Sequence, residues 1–188
     1  MHPADEAGAA LVLGHGAGGG VGSPDLIAAT SAARSKGVMV ALVEQPYRVA
    51  GRRSPPPAWQ LDAAWIAVVA QLQDDAISGL RLISGGRSSG ARVACRTAGE
   101  LGAVAVLCLA FPLHPPGRGD DPSKSRLPEL EAVSVPTLVV QGERDPFGRP
   151  PQGRERHVAL VPGGHSISNQ GEVAAAVSEW LGGWLGRS

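Results

Sequence analysis

The chain reads as an α/β protein built on a doubly wound, mostly parallel sheet of about six strands, and three observations carry that reading. Short β-rich apolar runs alternate with longer helix-compatible segments along the 188 residues, the pattern of parallel strands joined by crossover helices. Two of the runs, Val38-Met39-Val40-Ala41-Leu42-Val43 and Val104-Ala105-Val106-Leu107-Cys108-Leu109, are almost continuously apolar, which suits strands buried on both faces and predicts the sheet centre there. No internal repeat or domain boundary interrupts the alternation, so residues 1–188 are read as one domain.

The elements follow in order. A first strand near 9–14 runs into Gly14-His15-Gly16-Ala17-Gly18-Gly19-Gly20, which opens toward a helix near 24–36. A second strand is predicted at 38–43. The low-complexity piece Ser54-Pro55-Pro56-Pro57 then leads stiffly into a helix over 58–75 that carries Trp59 and Trp65. Strands near 80–84, 103–109, 136–141 and 157–161 complete the sheet, with helices near 88–100 and 170–185 and room for a shorter one after Pro146.

Ser88 is the most informative residue. It lies in Gly85-Gly86-Arg87-Ser88-Ser89-Gly90, between an apolar strand and a helix, the context of a nucleophile elbow. A serine on so tight a strand-to-helix turn crowds the positions two before and two after it, and Gly86 and Gly90 relieve that crowding. Taking Ser89 as the nucleophile would put Arg87 and Ala91 at the crowded positions, so the spacing favours Ser88. The amides and dipole of the following helix favour negative charge beside it.

A GxSxG match is weak alone in a chain with 26 glycines, so partners must be found. In hydrolases of this type the order is serine, acid, histidine, the last two on loops after later strands. Asp145 stands just beyond the strand Pro136–Gln141, and His165 follows the strand His157–Val161 and the turn Pro162-Gly163-Gly164. These two are the expected acid and base. Glu143 and the pair Asp120-Asp121 are fallback acids. Among the other histidines, His2 belongs to the terminus, His157 opens a strand, His15 braces its loop, and His114 sits among prolines as a residue of the site mouth.

Acyl transfer also needs donors for an oxyanion. The glycine-rich loop after the first strand supplies one in the Ala17 amide, and the Ser89 amide, one past the nucleophile, supplies the other. The same glycines lack a Walker lysine and a clean GxGxxG spacing, which disfavours nucleotide binding. No HxH, HExxH or CxxC spacing points to a metal, and no cofactor is expected.

Lys plus Arg equals Asp plus Glu at 17 each, with only the short Arg48–Arg53 cluster basic, so nucleic acid is not an expected partner. The longest apolar stretch, Ala103–Phe111, is too short to span a bilayer, and Met1-His2-Pro3-Ala4-Asp5-Glu6 does not resemble a secretion signal; a cytoplasmic location is expected. Cys95 and Cys108 fall in a predicted helix and strand, where buried free thiols are the default.

Four segments recur together in one branch of a known superfamily: Gly14–Gly19, Gly85–Arg92, Pro112–Gly117 and Gln141–Gly148. With them the chain resembles α/β-hydrolases of the dienelactone-hydrolase-like branch related to testis-expressed protein 30 and to subunit 3 of the NSL histone acetyltransferase complex, over nearly its whole length. The resemblance implies Ser88, Asp145 and His165 as a triad and Pro112–Gly117 as a loop near the site mouth. It also implies an alternative, because relatives include scaffold subunits: a noncatalytic interaction protein on the same fold.

The chain departs from larger α/β-hydrolases in starting its first strand only about ten residues in and in keeping the stretch between Phe111 and Pro136 short, with room for a loop but not for a helical lid. That predicts a minimal fold without a helical lid, and a site for a small or extended soluble acyl substrate. Arg87, inside the elbow, has two readings: a salt bridge bracing the turn, or a substrate-binding fork for a carboxylate. The expected chemistry is ester or thioester hydrolysis, rising with pH as a histidine loses its proton.

Overall fold

The computed structural model describes residues 7–186, so His2 and the Met1–Glu6 segment lie outside the described residues. Strands β1 (Ala9–Gly14), β2 (Met39–Val43), β3 (Arg81–Arg87), β4 (Ala105–Leu109), β5 (Thr137–Gly142) and β6 (Arg156–Val161) form one sheet in the order β2-β1-β3-β4-β5-β6. Every neighbouring pair is parallel, with registers such as Leu11 opposite Ile83 and Cys108 opposite Val139. Parallel pairing requires long crossovers, and these carry the helices α1 (Pro24–Ser35), α2 (Pro46–Val49), α3 (Ala58–Asp74), α4 (Ser89–Thr97) and α5 (Leu127–Glu131), while β5 reaches β6 through a helix-free connection and α6 (Gln170–Leu185) follows the last strand.

Alternate strand residues feed two cores. Leu11, Leu13, Ile83, Leu107 and Val140 meet Leu26 and Ala29 of α1 and Val173, Val177 and Leu181 of α6 on one face. On the other, Val12, Val106, Cys108 and Val139 meet Leu61, Trp65 and Val69 of α3, Val93 of α4 and Leu130 of α5. Helix ends follow local chemistry. Pro24 opens α1 in its first turn, and Gly37, at φ +73°, lets the chain turn back so that Val38 N–H donates to Ala33 O at 3.0 Å. Asn169 caps α6 by accepting from Glu172 N–H at 3.3 Å.

Three expectations need correction. The apolar run 38–43 is not at the sheet centre: β2 is an edge strand paired only with β1. Its apolarity reports that helices cover both its faces, with Val40 in one core and Ala41 and Val43 in the other, and face coverage is independent of whether both edges are paired. No helix follows Pro146. Asp145 Oδ1 instead accepts from Phe147 N–H at 2.8 Å, Asp145 O accepts from Gly148 N–H at 3.1 Å, and Gly148 at φ +88° closes a tight turn. The stretch between Phe111 and Pro136, read as a loop, contains a 3₁₀ turn (Pro122–Lys124) and α5. Helix α5 lies along α4, where Glu129 takes Arg92 in a two-point ion pair at 2.9 and 2.5 Å, and it forms no lid. No described helix is long and apolar enough to cross a membrane.

Candidate active site

The strand order reverses beside β1: the chain leaves β1 for β2 on one side and returns to β3 on the other, and such switch points open a crevice at the carboxyl ends of the strands. The loops that follow β1 and β3 are the glycine-rich loop and the elbow. Ser88 has φ +52° and ψ −110°, a conformation a side chain rarely adopts, and its N–H donates to Leu109 O at 2.8 Å. A Cβ on Gly86 would come within 2.7 Å of Gly14 O, and one on Gly90 within 2.6 Å of the same atom. Those contacts are backbone and cannot swing away. The two glycines therefore let β1, β3 and α4 converge behind the serine.

Ser88 Oγ lies 2.8 Å from His165 Nε2, and His165 Nδ1 lies 2.9 Å from Asp145 Oδ2. A carboxylate only accepts, so Nδ1 carries the proton and donates it, leaving Nε2 to accept from the serine hydroxyl. The Asp145 side chain is fully buried and His165 is 17% exposed. Asp145 Oδ2 also accepts from Gln141 Nε2 at 2.8 Å. Gln141 Nε2 is within 3.1 Å of Phe111 O and 2.8 Å of Gly148 O as well; three acceptors around one atom identify it as the nitrogen. The Phe147 ring packs on the imidazole with centroids 4.1 Å apart.

The glycine-rich loop is held from below. His15, 2% exposed, accepts Gln45 N–H at Nε2 (3.0 Å), so its Nδ1–H donates to Gly16 O (2.8 Å). Tyr47 O–H donates to Ala17 O at 3.0 Å, and burial, outweighing the nearby Arg48, pushes the phenol pKa up so that it remains a donor. The loop comes close to Ser88, since a Cβ on Gly16 would sit 3.5 Å from Ser88 Cβ. Ser89 is the first residue of α4, where no intrahelical acceptor exists for its N–H, and the Ala17 N–H donates to no other described residue.

Along Arg87, which precedes Ser88, and His165, which is hydrogen-bonded to it, opens a cleft of about 410 Å³ whose other walls include Gly18, Gly19, Asp25 and Ile167. Arg87 Nε donates to Asp25 Oδ2 at 2.9 Å. His114 is partly exposed, with its ring against Gly148 and Gly119 and Nδ1 at 2.8 Å from Pro115 O; its N–H donates to Phe147 O at 3.0 Å. Of the fallback acids, Glu143 and Asp120 are exposed and Asp121 accepts from Ser123 N–H at 3.0 Å. His157 is exposed on β6. Cys95 and Cys108 are buried free thiols 3.5 Å apart, and their mutual hydrogen bond, followed by burial, pushes the Cys108 pKa well up. Sequence reasoning gave no role to Asp25, Tyr47, Gln141 and Phe147, which act through other residues; Gln141 and Phe147 fall within the recurrent segment Gln141–Gly148, but nothing there singles them out beside Asp145.

With this fold and this geometry, the chain belongs to the α/β-hydrolase domain family, whose model matches residues 7–161. No curated protein matches its sequence. Solved structures with the same fold include an α/β serine hydrolase without lid from Xanthomonas campestris (18% identity, TM-score 0.74, covering 97% of this chain and 86% of that one). They also include Est1E from Butyrivibrio proteoclasticus with bound ferulic acid (14%, TM-score 0.78, 99% and 94%). A third is a dienelactone hydrolase from Anabaena variabilis (18%, TM-score 0.71, 97% and 88%).

Proposed function

We propose that this protein is a serine hydrolase that cleaves a small soluble ester or thioester. One observation carries the reading: the unbroken chain of hydrogen bonds from Ser88 through His165 to Asp145, at 2.8 and 2.9 Å. His165 Nε2 takes the Ser88 proton as Oγ attacks the acyl carbon, and Asp145 holds the imidazole tautomer and balances the imidazolium. The Ala17 and Ser89 amides donate to the oxyanion. His165 then protonates the leaving alcohol or thiol. Water, deprotonated by the same nitrogen, attacks the acyl-serine, and the acid leaves as Oγ regains its proton.

An unlidded cleft of about 410 Å³ supports small acyl groups over long lipid chains. The ferulic acid bound by Est1E and the activity named for the Anabaena protein point in the same direction, toward small soluble acids and lactones. His114, joined through its N–H to Phe147, is assigned to the mouth, where it would meet the far end of a substrate. For Arg87, the ion pair with Asp25 supports the bracing reading over the carboxylate fork. The narrower place beside testis-expressed protein 30 and NSL subunit 3, and a cytoplasmic location, belong to the same proposal and rest on the motifs and composition.

A fluorophosphonate probe should label the wild-type protein and leave Ser88→Ala unlabelled. Absence of labelling in the wild type would turn the reading to a noncatalytic interaction protein on the same fold.

A further inference from the structure

Asp25 takes no part in the steps above, yet it is 1% exposed at the edge of the cleft and both its carboxylate oxygens accept hydrogen bonds. Its Oδ1 accepts from Ser23 O–H at 2.7 Å and from Leu26 N–H at 2.9 Å, which fixes the carboxylate against the start of α1. Its Oδ2 receives Arg87 Nε at 2.9 Å. Arg87 is the residue before the nucleophile. Its Nη2 donates to the main-chain oxygen of His165 at 3.2 Å and reaches Ser166 Oγ at 3.4 Å. Its Nη1 lies over Gly16, where a Cβ would come within 2.7 Å of it.

One guanidinium thus touches the oxyanion loop and the base loop while its own backbone carries the turn to Ser88. The other ties on the base loop act elsewhere: Arg144 N–H donates to Gly163 O at 2.9 Å, and Phe147 packs on the face of the imidazole. Only Arg87 holds the His165 main chain by a side-chain hydrogen bond among the described residues. The buried carboxylate holds the Arg87 side chain, itself 14% exposed, in the conformation that spans the loops. The edge formed by Nε and Nη2, which would take a substrate carboxylate side-on, is already occupied.

We infer that Asp25 is a positioning residue of this site: through Arg87 it sets the distance between the histidine loop and the nucleophile, and so acts on turnover without touching substrate. The inference rests on the hydrolase reading for its kinetic effect.

The test is a double-mutant cycle with Asp25→Asn, Arg87→Ala and the pair, using p-nitrophenyl acetate turnover and the rate of fluorophosphonate inactivation, well below each melting temperature. Misplacing a catalytic group by about 1 Å costs on the order of 10²-fold, so each single change should lower kcat by roughly 10- to 100-fold with KM within about threefold. The double variant should fall no further than Arg87→Ala. Millimolar methylguanidinium should restore Arg87→Ala at least about tenfold, and not when Asp25 is also changed. A pair that serves only stability would lower the melting temperature, leave kcat intact and show no rescue; that result, or additive losses, or a change in KM alone, overturns the inference. If Asp25→Asn does not fold, Arg87→Ala and its rescue decide by themselves. If the wild type neither turns over nor labels, the hydrolase reading fails. The inference is then judged by the His165 Nδ1 proton resonance, which should broaden or shift in Asp25→Asn and whose constancy refutes it.

Discussion

Gln141→Leu probes the support of the acid with a magnitude that can be worked from the structure. The wild-type amide nitrogen serves three acceptors, Asp145 Oδ2 at 2.8 Å, Gly148 O at 2.8 Å and Phe111 O at 3.1 Å, in a fully buried position. An amide nitrogen has two N–H donors, which the three acceptors share; one bond to a carboxylate contributes about 1.5–3 kcal/mol and one to a neutral carbonyl about 1, so removing both donors should cost roughly 3 kcal/mol. Against this, Gln141 Oε1 is buried without a partner, and deleting it relieves about 1–2 kcal/mol. Leucine has nearly the same volume and adds no cavity cost. The expected net destabilisation is about 1–2 kcal/mol, measured as a lower urea midpoint at unchanged slope. Because Oδ2 is the oxygen that faces His165 Nδ1, kcat should fall as well, by about tenfold or more. A loss below about 1 kcal/mol, or an unchanged kcat, would refute the view that Gln141 orients the acid.

Ser88→Ala should lower kcat by on the order of 10⁶ and Asp145→Asn by about 10⁴ in ester turnover. Ser88→Gly should abolish activity while raising stability by about 1 kcal/mol, because glycine adopts φ +52° without strain; a drop in melting temperature would contradict this. Short-chain p-nitrophenyl esters should be turned over faster than long-chain ones, and the reverse order would argue against an unlidded cleft. Arg87→Leu should weaken neutral and acidic esters alike, whereas a KM increase confined to acidic esters would make Arg87 a substrate fork. The folded Cys108 thiol keeps its proton to a higher pH than the unfolded one, which ionises above about 8.5, so its contribution to stability is present below that pH and declines above it. The wild type should therefore lose stability faster than Cys108→Ala above about pH 8.5, by at most ~1.4 kcal/mol per pH unit; parallel curves would refute the shift.

Ser88, Asp145 and His165, which the structure joins by hydrogen bonds, were legible because each follows an apolar run in an order shared by many hydrolases. Gly86 and Gly90 were legible for a steric reason that the Gly14 carbonyl supplies. The edge position of β2 was not, because helices cover both faces of an edge strand as readily as of a central one. Nor was the turn after Pro146, where Asp145 accepts from the Phe147 N–H and so closes a turn in place of a helical start.

By itself the sequence determined the alternation of strands and helices, the strained bend that carries Ser88, and the family, since periodicity and local steric demands are written in neighbouring residues. Tertiary structure alone decided that Asp25, 62 positions from Arg87, fixes that arginine, that Gln141 supports Asp145, and that Tyr47 and His15 hold the loop of Ala17. Buried polar groups find partners wherever the fold brings them, and a partner's distance along the chain says nothing of its distance in space.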